Sequence, residues 1–280
     1  MKIKTWRAAA AALLAMACLW QWTRAAERTA HVPPQAPRRA LAAVPAGPAP
    51  AGRSGAGERE LFLQTGLGPA GAKAVLEQDG ADGLLRMQDQ LYAPAVWQCG
   101  AGTPLTRQET LASAVEMAPL EDGDILVTTA SHFFGWRQGH ACLVVDAARG
   151  ETLDCGMSVA EIGSAASWAL RANFAVLRLA GTPAEERAAV AAAARGTLLG
   201  VPYNIAVGIF PPKGDGAGVR STHCSHLVWS AYRAFGYDLD ATGGPVVTPR
   251  DLLRSPLLEI VQVYGMDPQA LLRERAAFSA

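Results

Sequence analysis

Several things are scarce or missing in this sequence, and each absence narrows what it can be. Net charge is absent: among 280 residues, 25 Lys and Arg balance 25 Asp and Glu. A broad nucleic-acid surface needs clustered positive charge, so that class of partner is not expected. There is no Walker-type phosphate loop and no internal repeat, which removes the P-loop nucleotide enzymes and the solenoids. The five cysteines include no C-x-x-C pair, so a zinc ribbon is not expected. Aromatics are few, at 7%, yet hydrophobic residues reach 50%, enough to build a globular core from aliphatic side chains.

A long apolar run is also missing. AAAAALLAMACLW (8–20) follows the short basic segment MKIKTWR; it has the length of a secretory h-region and is short for a membrane span. Ala15-Met16-Ala17 forms one A-x-A site, and processing nearer Ala25 is a second option. Cys18 follows small residues, as a lipoprotein cysteine would, although Ala15 and Met16 suit that signal poorly. Residues 1–25 are therefore expected to be a signal peptide or an N-terminal membrane anchor. Residues 26–58, rich in Ala, Pro, Gly and Arg, carry too little apolar surface to offset their ordering entropy and read as a disordered tether. The working domain is expected outside the cytoplasm, in the periplasm or cell envelope, and near a membrane if the first segment is retained. In such a compartment the four remaining cysteines, Cys99, Cys142, Cys155 and Cys224, invite disulfides.

The rest of the chain divides in three. Residues 59–118 show a broken helical pattern, from ERELFLQTGLG to TRQETLASAVEMA, and are expected to form a helical extension. Residues 119–265 mix strands and helices: DILVT (124–128), ACLVVD (141–146), ETLDC (151–155), FAVLRL (174–179) and IVQVY (260–264) read as strands. TPAEERAAVAAAARGTLLG (182–200) reads as a helix opened by a capping box of Thr182 and Glu185. The implied fold class is α+β, a small antiparallel sheet packed with helices. Residues 266–280 are left as a C-terminal tail.

One stretch carries chemistry. STHCSHLVWSAY (221–232) sets Cys224 between His223 and His226 at the start of an amphipathic helix that Gly236 ends and Ser221 or Thr222 could cap. The two histidines share a side that Cys224 does not, so a helix cannot aim all three at one metal. At a helix start the thiol pKa should fall. Spacing alone leaves two readings open: a reactive thiol, or a small buried residue heading the apolar stripe. A thiolate nucleophile needs a base, and the base needs an orienter. His140, between a polar Gly-containing loop and an apolar strand, is the first candidate base, and His132 the second. Asp154 on the returning strand is the first candidate orienter, with Glu151 behind it. That choice depends on register. Like-parity pairing across DAARG brings Asp154 to His140, whereas a one-residue slip would set Cys142 against Cys155 and invite a disulfide.

These segments resemble the NlpC-type cell-wall cysteine peptidases, a papain-like superfamily, in circularly permuted order. EDGDILVT (121–128), HACLVVD (140–146) and TLDCG (152–156) come first; GVPYN (200–204), HCSHLVW (223–229) and VTPRDLL (247–253) follow. That order is similar to the YiiX/YebB-like branch and spans roughly residues 120–262. The resemblance implies a circularly permuted papain-like fold for residues 119–265, with Cys224 as nucleophile, His140 as base, Asp154 as third polar residue and Tyr203 beside the thiol as an oxyanion donor. It calls for no metal and no cofactor. It departs from the family at Ala141-Cys142-Leu143, at Asp154 in place of the commoner His or the branch's Glu, and at His226. The implied activity is that of an exported thiol hydrolase, an amidase or endopeptidase acting on peptidoglycan stem peptides. A lipid-directed acyl hydrolase or acyltransferase, as in the lecithin:retinol acyltransferase-like proteins, is the alternative substrate class. A non-catalytic envelope binding module is the third reading.

Overall fold

The computed structural model describes residues 30–41, 55–103, 105–133 and 135–278, with the isolated positions 12, 13, 15 and 16. The expected export segment, with Cys18 and Ala25, otherwise lies outside the described residues. Among the described residues no helix is long and apolar enough to cross a membrane.

The fold is α+β. Helices α1 (Ala56–Thr65) and α2 (Pro69–Tyr92) precede strands β1 (Trp97–Thr103) and β2 (Thr106–Leu111). Then come β3 (Ile125–Thr128), β4 (Ser131–Phe133), β5 (Trp136–Arg137), β6 (His140–Asp146), β7 (Glu151–Cys155) and β8 (Ala160–Ser164). A 3-10 turn (Ala165–Leu170) leads to β9 (Phe174–Leu179), α3 (Ala184–Leu198), α4 (Cys224–Arg233), α5 (Pro249–Arg254), β10 (Leu258–Tyr264) and α6 (Pro268–Ala276). The main sheet has the order β10-β9-β3-β6-β7-β8, and a smaller sheet has the order β1-β2-β4-β5.

The main sheet is covered on both faces, which is why its central strands read as unbroken apolar runs. Alternate residues point to opposite sides. Ile125, Val127, Leu143 and Leu177 face a core completed by Val190 of α3 and by Leu227, Val228, Trp229 and Tyr232 of α4. Leu126, Cys142, Val144 and Val176 face the other way, toward Val75 and Met87 of α2 and toward Trp168 and Phe174. Each large side chain buried in this way contributes roughly 1.5–3 kcal/mol. α2 comes close to β10 because its start is built from glycine: a Cβ on Gly68 would lie 1.8 Å from the Ile260 carbonyl oxygen, and one on Gly71 would lie 2.0 Å from that of Val261. Below the sheet, Asp124 at the entry to β3 is fully buried and takes both Nε and Nη2 of Arg178, at 2.7 and 2.8 Å.

Four expectations need correction. The region 59–118 is helical only through α2; its second half forms the β1–β2 hairpin. Thr106–Leu111 alternates burial, with Glu109 and Leu111 inside, and this period of two outweighs the helical reading. Residues 30–41, expected within a disordered tether, are docked. Ala30 and His31 are buried, the Val32 N–H donates to the Gly265 carbonyl at 2.8 Å, and the Gln88 side chain donates to the Arg39 carbonyl at 2.7 Å. The composition was too polar for a core, but backbone groups of this strap find partners already fixed by the rest of the fold. The C-terminal tail is largely helix α6, whose Leu271 is buried and whose Arg275 donates to the carbonyls of Leu253, Ser255 and Leu258. Helix α3 has no capping box: Pro183 is its N-cap residue without a side-chain cap bond, and Thr182 Oγ donates to the Ala180 carbonyl instead.

Candidate active site

Three parts of the fold converge at one end of the main sheet. The first is β6. Its opening residue, His140, pairs with Thr128 of β3. The turn before it depends on Gly139, which has φ +77° and would place a Cβ 2.5 Å from the Thr128 carbonyl oxygen. The second is β7. Leu143 pairs with Leu153 and Val144 with Thr152, which is the like-parity register, and Asp154 therefore lies diagonal to His140. His140 Nε2 lies 2.7 Å from Asp154 Oδ1. Asp154 Oδ1 meets no aligned hydrogen-bond donor among the described residues, so the contact is an ion pair held by charge more than by direction. The slipped register is not adopted, and Cys142, Cys155 and Cys224 are free thiols.

The third part is the start of α4. Cys224 is its first residue and is half-buried. The strand-like segment around Tyr203 fixes that start. Tyr203 bridges Thr222 in parallel, the Asn204 N–H donates to the Thr222 carbonyl at 2.7 Å, and the Tyr203 N–H donates to the Ser158 carbonyl at 2.8 Å. The cap is neither Ser221 nor Thr222 but His223, whose ring accepts the His226 N–H at 3.4 Å.

The electrostatics follow from this geometry. Burial alone would push the Cys224 thiol up, but the charge and hydrogen bond of His140, with a smaller contribution from the neighbouring His223, bring it down to about 5. Burial alone would push the His140 imidazole down; the Asp154 carboxylate and then the Cys224 thiolate raise it to about 10. Asp154 is pushed up by burial and, more strongly, down by His140 and Arg171, so it stays below the usual carboxylate range. Between those limits the pair holds a thiolate and an imidazolium. With Nε2 on Asp154, Nδ1 is the ring nitrogen left for the thiol. Burial and the nearby Cys224 charge raise the Tyr203 hydroxyl to about 12, so it remains a donor at neutral pH.

The structure thus brings Cys224, His140, Asp154 and Tyr203 together. It places the second choices elsewhere. His132 is buried against Glu109, Nε2 to Oε1 at 2.8 Å, and Glu151 pairs with Arg195. His226 is buried, with Nδ1 2.9 Å from Thr222 Oγ and Nε2 2.8 Å from the Lys213 carbonyl; burial lowers its pKa to about 4, which keeps it neutral. His223, beside Cys224 in sequence, adds to the lowering of its thiol. Two further residues had no signal in any motif. Trp168 stacks on the His140 ring, with centroids 5.8 Å apart and planes 13° apart. The Arg171 guanidinium covers Trp168 at 4.1 Å. Their placement depends on the 3-10 turn before β9.

No family model matches the chain, and no curated protein matches it. Among solved structures it is similar to the crystal structure of metalloprotein yiiX from Escherichia coli O157:H7, at 16% identity and a TM-score of 0.40, over 51% of this chain and 97% of that one. Among the described residues of this chain, no group of three or more His, Cys, Asp and Glu could hold a metal ion.

Proposed function

We propose that this protein is an exported thiol hydrolase of the circularly permuted papain-like, NlpC-related type. The observation that carries the reading is the Cys224 thiol at a helix start, lowered to about 5, beside an imidazole raised to about 10. A structural cysteine gains nothing from that arrangement, whereas a nucleophile requires it.

In this mechanism the Cys224 thiolate adds to a substrate carbonyl carbon. The carbonyl π electrons move to oxygen, where the Cys224 main-chain N–H and the Tyr203 hydroxyl donate to the oxyanion. The His140 imidazolium then gives its proton to the leaving amine as the carbon–nitrogen bond breaks. Neutral His140 next takes a proton from water, hydroxide adds to the acyl carbon, and Cys224 leaves as thiolate. Asp154 holds the imidazole in place throughout.

The substrate class proposed is an amide of peptidoglycan stem peptides, on the strength of the expected export and the six motifs in permuted order. A specific observation favours the lipid alternative. The loops joined at Tyr203 expose Met157, Val159, Ile205, Ile209 and Phe210, the last 86% accessible. Apolar side chains exposed on loops that adjoin Tyr203 suit an acyl chain or a bilayer better than a polar peptide. The discriminating experiment offers the purified protein muropeptides and phospholipid vesicles in parallel and measures intact mass and product release. A Cys224-linked acyl adduct with muropeptide cleavage supports the peptide reading, and an adduct from lipid moves the assignment to that class. No adduct and no product from either leaves the binding-module reading standing.

A further inference from the structure

We propose that His223 is a catalytic hydrogen-bond donor, whose Nε2–H binds the carbonyl oxygen of the substrate as Cys224 adds to it. This rests on the thiol-hydrolase reading above and adds a residue to it.

The argument begins with the tautomer. His223 is the N-cap of α4, and its Nδ1 accepts the His226 main-chain N–H at 3.4 Å. A main-chain N–H can only donate, so a neutral ring that accepts at Nδ1 carries its proton on Nε2. The cap therefore fixes where the ring proton is.

That proton has no aligned acceptor. His223 is 4% exposed, and its Nε2 meets no hydrogen-bond partner among the described residues. A fold avoids leaving a buried donor unsatisfied unless another state supplies the acceptor. The ring adjoins Cys224 in sequence and sits close enough to favour its thiolate. The acceptor that arises beside Cys224 during acyl transfer is the oxyanion. A donor already in place costs no reorganisation when that charge develops.

His226 does not share the role, since both its ring nitrogens have partners, Thr222 Oγ and the Lys213 carbonyl. Trp229, whose Nε1 donates to Asp238 at 2.8 Å, is likewise occupied.

Two substitutions separate capping from donation. His223→Asn keeps an acceptor at the Nδ1 position and removes the distal N–H. His223→Gln keeps a distal N–H and weakens the cap. Two probes separate the thiolate from the oxyanion. Iodoacetamide alkylates by displacement and develops no oxyanion; p-nitrophenyl acetate acylates through a tetrahedral one. Both rates are measured on the full chain at pH 9.5, where the thiol is ionised whether or not His223 is present. The expected result is that His223→Asn slows acylation about 10²-fold, the usual effect of losing one such donor, with alkylation within threefold of wild type. His223→Gln should recover at least tenfold of the lost acylation. If His223→Gln is the worse variant, or if acylation and alkylation fall together, the residue only caps the helix and the proposal is overturned. Unchanged acylation in His223→Asn overturns it as well. A wild-type protein that p-nitrophenyl acetate does not label at Cys224 sinks the hydrolase reading itself, a different result from labelling that is indifferent to His223.

Discussion

His140 Nε2 and Asp154 Oδ1 stand 2.7 Å apart across two antiparallel strands, and the carboxylate is the main influence raising the imidazole. This makes Asp154 the residue that sets how long His140 keeps its proton as pH rises. Asp154→Asn keeps the shape and loses the charge, so the His140 pKa should fall from about 10 toward its free value of about 6.5. Asp154→Ala loses the positioning contact too and should reduce acylation by about 10²-fold or more. The measurement is the pH profile of turnover or ester acylation. An alkaline limb that stays put in Asp154→Asn would show that the carboxylate does not govern the base.

Cys224 alkylation should depend on pH in an unusual way. An isolated thiol ionises near 8.5, whereas here the thiolate forms through about 5 and its imidazolium partner persists to about 10. The rate with iodoacetamide should rise through pH 5 and hold a plateau across neutrality. In His140→Ala the midpoint should move up by at least two pH units. The stability sign follows. Cys224 has a depressed folded pKa, so its contribution is complete above about 8.5 and is lost as pH falls through 5. His140 has a raised folded pKa, so its contribution is complete below about 6.5 and is lost as pH rises through 10. Thermal unfolding of wild type and Cys224→Ser should therefore converge in acid, below pH 5. A single alkylation midpoint near 8.5 in wild type would remove the ion pair.

Gly139→Ala tests the turn that delivers His140. The new methyl would meet the Thr128 carbonyl oxygen at 2.5 Å on a backbone with φ +77°, and the combined strain is about 1–3 kcal/mol. Because Thr128 is the cross-strand partner of His140, the strain falls on His140 itself. The alkylation midpoint of Cys224 should rise along with a loss of melting temperature. Gly150→Ala is the control: it also has positive φ, +66°, but faces open space. Equal effects on the thiol midpoint from both substitutions would show that the turn at Gly139 has no special bearing on the site.

The proximity of Cys224, His140 and Asp154 was legible because each sits at the boundary of a strongly patterned element. β6 and β7 alternate or run apolar, DAARG marks the turn between them, and α4 has a clear stripe. What remained open was register, and Leu143 opposite Leu153 resolves it by keeping apolar side chains on both buried faces. The helix start was misplaced by one or two residues, and this hid His223: a histidine is an unusual cap, so Ser221 and Thr222 drew the assignment. Trp168 and Arg171 were illegible for a different reason. Their positions depend on a 3-10 turn with little local signal, and the stacking of Trp168 on His140, like that of Arg171 on Trp168, exists only once the sheet has formed. The strap at 30–41 failed on composition, since ordering it relies on backbone groups and on a buried carboxylate contributed from far along the chain.

That carboxylate is Glu109, and it yields the last prediction. Its Oε2 accepts the Ala30 N–H at 2.5 Å, and its Oε1 takes His132 Nε2 at 2.8 Å and Arg137 Nη2 at 2.7 Å. On the far side of Ala30, the Asn173 amide donates to its carbonyl at 2.6 Å, and the His31 ring contacts the Ala172 carbonyl at 2.9 Å. Burial pushes the Glu109 carboxyl up, but His132, the Ala30 N–H and Arg137 together hold it below its ordinary value. Its contribution is thus complete above about pH 4.3 and is lost as pH falls through the depressed folded value. Removing one partner of a buried ion pair costs about 3–5 kcal/mol, and in Glu109→Ala that loss should appear first as release of the strap, because the main sheet does not pass through Glu109. Hydrogen exchange at Ala30 and Val32 should rise at least tenfold in Glu109→Ala at pH 7, while the amides of β3 and β9 keep their protection. Wild type should show the same release only below pH 4.3. If Ala30 stays protected in Glu109→Ala, the strap is held by its other contacts, with Asn173, Gly265 and Gln88 among them; if β3 and β9 open with it, the strap is part of the cooperative core.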